Sequence, residues 1–502
     1  MTTLFRRRAR LFSLLLATSA AAGIGVLACG GGDDSNGDNP GGGDDGQDAS
    51  GTLSDTGPEP TGDGALGDAG FAFPTPIHHL VIVVKENHTF DNFFGLFDEE
   101  GETPQKTAKL SDGTTITRPA CPKGGLGRDL SHTHPSAVKD YTDGFDSLTN
   151  NITNPDTKKK DYLSYCTFSD GNQGNSYWTL ARNFTIADNY HSTILGPSFP
   201  GHISTAIGQT PAYGNPGCPP GDDSCENNTN PSGCVGPPTE TVPSYNSDTC
   251  TDAGFVKPCW DLATWMDVFP PQLNWQVYAV PRNPYTDDAG APLIGTVFNS
   301  VKKHATAAER IAHFRPDSYL IPQILQDTAL PGILKDMPNV MFWDDGGRNS
   351  EHPPNSPCCG EQDDLTLVNA IMSGPNWKDT ALLITFDDFG GFYDHVKPNV
   401  EKCANGQFFS PGFRLPLIIV SPYARKGFVL HTETEQASVP KLIEELFGLP
   451  MSSDRDPHAR DGKAGSLMGA FDFSQTPLAP IKLPFTPTDC AATSCSAFIP
   501  DE

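Results

Sequence analysis

The sequence is short of positive charge: 34 lysines and arginines face 61 aspartates and glutamates, for a formal net charge of −27. Neutralising a phosphate backbone needs basic surface, so this deficit argues against nucleic acid as a partner. Beyond residue 27 no apolar run is long enough to cross a bilayer as a helix. The chain also lacks Cys-x-x-Cys pairs, which makes a structural zinc site the weaker reading of its cysteines. What it has in plenty is Gly (50) and Pro (46), the composition of a loop-rich globular protein whose 502 residues can bury a large core.

The first residues form a targeting pattern. Arg6, Arg7, Arg8 and Arg10 precede an apolar stretch from Leu11 to Leu27 that ends Val26-Leu27-Ala28-Cys29. A small residue directly before a cysteine at that point resembles the bacterial lipoprotein signal, so 1–29 reads as a signal ending at a lipidated Cys29. An ordinary cleaved signal or an uncleaved anchor are the alternatives. Each takes the protein out of the cytoplasm: lipid-anchored through Cys29 in a bacterial cell envelope, on its periplasmic or outer face, or secreted. Residues 30–70 are Gly, Asp, Ser, Thr, Asn and Pro with almost no large apolar side chain, and they read as a disordered tether. Once Cys29 is set aside, an even number of cysteines remains, consistent with disulfides in an exported chain. Cys218, Cys225, Cys234 and Cys250 crowd a Pro/Asn/Gly-rich stretch that reads as a stapled insertion, and adjacent Cys358 and Cys359 are expected to bond different partners.

Short apolar runs, each followed by turn or cap residues, recur along the rest. They are His79 to Val84, Phe184 to Ala187, Trp275 to Val280, Val340 to Trp343, Ala381 to Phe386 and Leu415 to Val420. Continuous apolar runs of this length predict strands buried on both faces of a mostly parallel sheet. Helical patterning lies between them: at Trp260 to Val268, from Phe90, after Ser198, and at Val439 to Phe447 with Ser438 as N-cap and Gly448 as stop. Strands alternating with helices predict an α/β fold covered on both faces. The catalytic domain is expected over 71–475, with insertions at 100–128 and 210–258, and 476–502 reads as an irregular tail.

Polar clusters follow these runs. Glu86 and Asn87 supply hard oxygen ligands directly after the first strand, with an Asn87 helix cap as the plainer alternative. Ser198 is framed by Pro197 and Pro200 at the start of a helix, where it can be a nucleophile or a simple N-cap. His132 lies in Asp129-Leu130-Ser131-His132, and His352 precedes Pro353-Pro354; a loop histidine there can bind phosphate or protonate a leaving group. Asp387 and Asp388 end the run Leu382 to Phe386, and two carboxylates are costly to bury unless something positive neutralises them.

In order, HLVIVVKENHTFDNFFG, ADNYHSTILGPSFPGH, CWDLATWMD, NWQVYAV, NSEHPP, ITFDDFGGFYDHV, GFRLPLIIVSPYARKGFV and HTETEQASVPKLIEELFGLP resemble the bacterial phosphoesterase family of acid phosphatases and non-haemolytic phospholipases C, within the alkaline phosphatase superfamily. The resemblance spans about Ile77 to Asp472. It implies an alkaline-phosphatase-like three-layer sandwich with a mostly parallel central sheet and loop insertions. It also implies one or more divalent metal ions held by Glu86, Asn87, Ser198, Asp387 and Asp388, with Ser198 as nucleophile and His132 and His352 contacting the phosphate in catalysis. The chain departs from the family's usual Gln-Glu-Asn-Arg-Ser at Lys85, His88 and Thr89, and from its Pro-Asn-Arg at Gly201 and His202.

The expected function is metal-dependent hydrolysis of a phosphate ester through a phosphoseryl intermediate, foremost as an acid-phosphatase-like monoesterase. A phospholipase C type phosphodiesterase acting on a lipid headgroup is the alternative, and Phe93, Phe94 and Phe392 are candidates for its apolar substrate surface. A reading of another class is a non-catalytic surface-binding lipoprotein. Retention of Glu86, Asn87, Ser198, Asp387 and Asp388 together argues against it.

Overall fold

The computed structural model describes residues 70–483, apart from 99–103, 123–124, 147–149, 170–174, 216–231, 280, 287–291, 317–319, 321–336, 345–348, 404 and 408. The expected signal, the lipidated Cys29 and the 30–69 tether fall outside the described residues, as do Cys218 and Cys225. No helix among the described residues is long and apolar enough to cross a membrane.

Eight strands form one sheet: β1 (His79–Lys85), β2 (Thr185–Ala187), β3 (Trp275–Ala279), β4 (Phe314–Pro316), β5 (Val340–Asp344), β6 (Thr380–Phe386), β7 (Leu417–Val420) and β8 (Phe428–Leu430). Their spatial order is β4-β3-β5-β1-β6-β7-β2-β8. Only β7 runs against its neighbours, so the sheet is mostly parallel. Each of the six apolar runs becomes a strand. The two unanticipated strands, β4 and β8, have three residues each, too few for a pattern to register.

The strands are continuous apolar runs because both faces are covered. Along β1, Leu80, Ile82 and Val84 join one core with Ile203 and Ile207 of α4 (Ser198–Ile207) and Leu442 and Leu446 of α7 (Ser438–Phe447). Val81 and Val83 join the opposite core with Trp178 and Leu180 of α3 (Asn175–Asn183) and Leu365 and Val368 of α6 (Pro357–Ser373). Period-two alternation along a strand thus produces three layers. Leu383, in the centre of β6 and fully buried, marks the energetic scale: truncation to Ala costs about 2–5 kcal/mol.

Two local expectations are corrected and a third holds. Trp260 to Val268 is helical only as a 3-10 turn at Trp265–Val268, because Trp260 pairs its backbone with Ser300 and Lys302 instead. Ser438 is the first residue of α7, not its cap: its hydroxyl accepts from Glu435 N, and Ala437 holds the cap position. Gly448 does end that helix, in the left-handed conformation at φ 65°.

The insertions fold as hairpins, Thr107–Lys109 with Thr115–Thr117 and Val242–Asn246 with Thr251–Val256. Disulfides Cys234–Cys259 and Cys250–Cys403 staple the second, and Cys121–Cys166 the first region. Cys358 and Cys359 are both disulfide-bonded. Residues 476–483 carry no helix or strand and lie back against the sheet layer, with Leu478 O accepting from the Trp377 indole.

Candidate active site

Ligands of parallel sheets gather beyond the carboxyl ends of the strands. Here three neighbouring ends converge: β5 finishes at Asp344, β1 delivers Glu86 and Asn87, and β6 delivers Asp387 and Asp388. Strands β1 and β6 pair in register up to Lys85 with Phe386, so the two acidic segments leave the sheet side by side. Asp387 N then donates to Lys85 O at 2.9 Å, and Asn87 N to Asp387 Oδ1 at 2.8 Å.

Asn87 takes a left-handed φ of 63°, a conformation asparagine tolerates better than most residues. The plainer alternative for it fails, because Thr89 caps α1 (Phe90–Phe94). Gly390 answers the tight approach of the two segments: its φ is 57°, and an added Cβ would stand 2.3 Å from Asn87 O. Ser198 opens α4, whose N-terminus points positive partial charge at the site. Gly201, one turn on, passes so close to Asp387 that a Cβ would lie 2.0 Å from its carbonyl oxygen.

Side-chain oxygens close around Ser198. Its Oγ lies 3.0 Å from Asp388 Oδ2, 3.2 Å from Glu86 Oε2 and 3.3 Å from Asn87 Oδ1. All of these residues, with Asp387, are buried. The five predicted ligands therefore meet at one point. His132 joins them, with Nε2 3.2 Å from Asn87 Nδ2 and 3.9 Å from Asp388 Oδ2, while its Nδ1 is held by Leu130 O at 2.7 Å. His352 stands behind it at 5.8 Å between ring centroids and is about a quarter exposed. Asp129, His132 and His352 each bring a ligand-type atom within 4.8 Å of the others.

His202 was missed as a site residue, although the sequence shows it one helical turn after Ser198, a spacing that puts both on one face of α4. Its Nε2 lies 3.0 Å from Glu86 Oε1 and 3.6 Å from Asp387 Oδ2, and its Nδ1 lies 3.5 Å from Asp344 Oδ1. Asp344 was visible only as a strand end. Burial pulls the imidazole pKa down, but Asp344 and Glu86 outweigh it and raise it to about 10. His202 thus carries positive charge inside the cluster. Burial and the neighbouring Asp387 push the Glu86 carboxyl up and Asp388 well up. Burial acts the same way on Asp387, but the His202 charge holds it below the ordinary carboxylate value.

Glu86, Asp387 and Asp388 crowd three carboxyls around Ser198, and Asp344 adds a fourth behind His202. Asp387 Oδ2 is buried without a hydrogen-bond partner, and no described lysine or arginine pairs with Glu86, Asp387 or Asp388. An oxygen-rich set with spare negative charge fits a hard divalent cation, the class that carboxylate and amide oxygens select.

The remaining departures find partners. Thr89 Oγ1 also donates to Tyr393 O, and His88 bonds Asn92 Oδ1 at 2.7 Å while stacking on Phe392. Phe93, Phe94 and Phe392, expected as a lipid-facing surface, are instead buried in the core below the site, where aromatic area is best removed from water.

The Phosphoesterase family matches residues 77–450. Non-hemolytic phospholipase C of Pseudomonas aeruginosa is 25% identical over 452 residues, covering 79% of this chain and 57% of that protein. Phospholipase C A of Mycobacterium tuberculosis is 24% identical over 462 residues, covering 80% of this chain and 78% of that protein. Among solved structures, a protein in the alkaline phosphatase superfamily from Vibrio parahaemolyticus is similar at 10% identity and a TM-score of 0.31, covering 76% of this chain and 69% of that one. The chain thus spans little more than half the length of the Pseudomonas relative.

Proposed function

The chain belongs to the Phosphoesterase family, and from that premise we propose that it hydrolyses phosphodiesters of the phospholipase C class, with Ser198 as nucleophile. The sequence by itself favours a monoesterase; the relatives, named as phospholipases C, move the reading to the diester. The observation that carries the mechanism is the convergence of Glu86, Asn87 and Asp388 oxygens on Ser198 Oγ at 3.0–3.3 Å.

Glu86, Asn87, Ser198, Asp387 and Asp388 would hold at least one divalent cation. When bound, it supplies a lowered serine pKa and neutralises phosphoryl charge, the chief demand of phosphoryl transfer. The chain's own groups do the rest. Ser198 Oγ attacks phosphorus in line while its proton passes to Asp388 Oδ2, 3.0 Å away. His132, next to Asn87, orients a phosphoryl oxygen, and His352, on the open side, protonates the departing alcohol. Water, passing a proton to the now neutral His352, then attacks phosphorus and breaks the phosphoseryl bond, and Asp388 returns its proton to Ser198 Oγ. The substrate is a phosphoester, either a phospholipid headgroup or a soluble ester. An exported site, tethered to the membrane through lipidated Cys29, belongs to the same reading.

The test is turnover of phosphatidylcholine vesicles and of a chromogenic monoester by the full chain, with and without chelator, beside Ser198→Ala. Chelator-sensitive cleavage, faster on the diester and lowered about 10^3-fold or more in the variant, is expected. Preference for the monoester would return the reading to a phosphatase. Turnover unchanged in Ser198→Ala would end the nucleophile assignment, and none on any ester would favour a non-catalytic surface lipoprotein.

A further inference from the structure

Beneath the oxygen cluster lies a second buried polar group that this chemistry does not use. Lys85, the last residue of β1, is fully buried. Its Nζ donates to Asn349 O at 2.6 Å and lies 3.3 Å from Asp364 Oδ1 and 3.9 Å from Glu351 Oε1. Tyr177 on α3 places its hydroxyl between the same carboxyls, 2.5 Å from Glu351 Oε1 and 2.6 Å from Asp364 Oδ2. A phenol donates one proton, so the second of these short contacts needs a proton on a carboxyl. Lys85 of β1 and Tyr177 of α3 thus each touch Asp364 of α6, and the three close around the Glu351 side chain.

Glu351 is also constrained by its backbone. It takes a left-handed φ of 73°, which costs a non-glycine residue about 1 kcal/mol or more. Gly360 of α6 lies so close that a Cβ there would stand 2.3 Å from Glu351 Cγ. On either side, Ser350 O accepts from Glu86 N at 2.8 Å, and Glu351 O lies 3.2 Å from His88 Nε2. The next residue is His352. Its ring is anchored within its own loop, Nδ1 at 2.5 Å from the carbonyl of the next residue, Pro353, with Nε2 at 4.0 Å from Asp129 Oδ2. The precision of His352 therefore has to come through its backbone, and the backbone is fixed at Glu351.

We propose that Lys85, Tyr177 and Asp364 are positioning residues for His352, acting by caging the Glu351 side chain against the strand that delivers Glu86 and Asn87. This deepens the proposed function and rests on His352 facing the substrate phosphate. It also accounts for Lys85, where the family pattern carries a glutamine: a buried ammonium balances carboxyls that an amide could not.

The full chain with 15N-labelled histidine tests it without relying on turnover. Loss of one signal in His352→Ala assigns that ring. In Tyr177→Phe, and in the near-isosteric Asp364→Asn should the first fail to fold, the His352 ring signals are expected to move toward a freely exchanging imidazole while those of His191 and His202 stay. Unmoved His352 signals, or a shift of all the histidines together, would overturn the proposal. Turnover supplies a second arm. Tyr177→Phe is expected to lower kcat about 10-fold with KM nearly unchanged, and to cost nothing further in a His352→Ala background. Multiplicative losses in the double variant would also overturn it. Absence of turnover in the unmodified protein would remove the proposed function and leave the histidine signals to decide the cage.

Discussion

Two buried acidic clusters sit a short way apart along the same chain, and they are neutralised differently. Asp91, Asp394 and His395 have the composition and spacing of a metal site. Yet Arg414 reaches Asp394 at 2.9 Å and Asp91 at 3.0 Å, Arg118 reaches Asp91 at 3.3 Å, and His395 lies 2.8 Å from Asp91. The cluster around Ser198 gathers Glu86, Asp387 and Asp388 with His132 and His202 and, among the described residues, no arginine, and it leaves Asp387 Oδ2 without a hydrogen bond. Spacing alone would rank the two as equals. Charge balance separates them: the first is met by two arginines, and the second keeps acidic groups that a cation would balance. Glu444 shows a third solution, because burial and the nearby Asp461 raise its carboxyl to about 8, so it is neutralised by keeping its proton.

If this comparison is right, removing charge has opposite consequences at the two clusters. Arg414→Leu should cause the largest change, about 3–5 kcal/mol of lost stability in urea unfolding, because it leaves the buried Asp394 without its guanidinium and Asp91 with Arg118 and His395 alone. Next comes the cation itself. Divalent metal at about 100 times its Kd should stabilise the protein by about 2.7 kcal/mol in a thermal melt, chelator should reverse this, and Arg118 and Arg414 should be indifferent to it. Smaller still, Asp388→Asn should leave the cation-free protein as stable or about 1 kcal/mol more so, since burial and Asp387 push that carboxyl well above its ordinary value, and should abolish the metal-induced shift. A loss comparable to that of Arg414→Leu would erase the distinction between the clusters. The smallest effect concerns Glu444. The folded chain holds a proton there that the unfolded chain releases near 4.5, so stability contributed by this group falls as pH rises from about 4.5 to about 8. Glu444→Gln should flatten that part of the stability profile; an unchanged slope would show that the proton is not held.

Much of this was legible because the sheet is covered on both faces. Such strands are written as unbroken apolar runs, and each of the runs from His79 to Val420 proved to be one. The oxygen cluster was legible for a related reason: a run that halts at Asp387-Asp388, or at Glu86-Asn87, marks the end of a strand, where polar groups are useful. Less visible was anything set by contacts distant in sequence. Asp344 is one more acidic strand end until the sheet order places β5 beside β1, and His202 gains meaning only when α4 lies over Glu86. Lys85 showed up as a departure, but its partners Glu351 and Asp364 come from more than 260 residues away. Phe93 and Phe392 misled because an aromatic at a strand end has the same pattern whether it faces a substrate or the core.

The hydrogen bond from Asn87 N to Asp387 Oδ1 joins residues 300 positions apart. That single separation makes the site a late product of folding. While the chain is extended, its first oxygen ligands and its last have no common neighbourhood, and a cation meeting either half finds only weak, local coordination. On the proposed function, affinity would arise when β1 and β6 pair, so a cation captured there would bind the finished sheet in preference to the coil, and metal supply would become a check on whether the whole chain has folded.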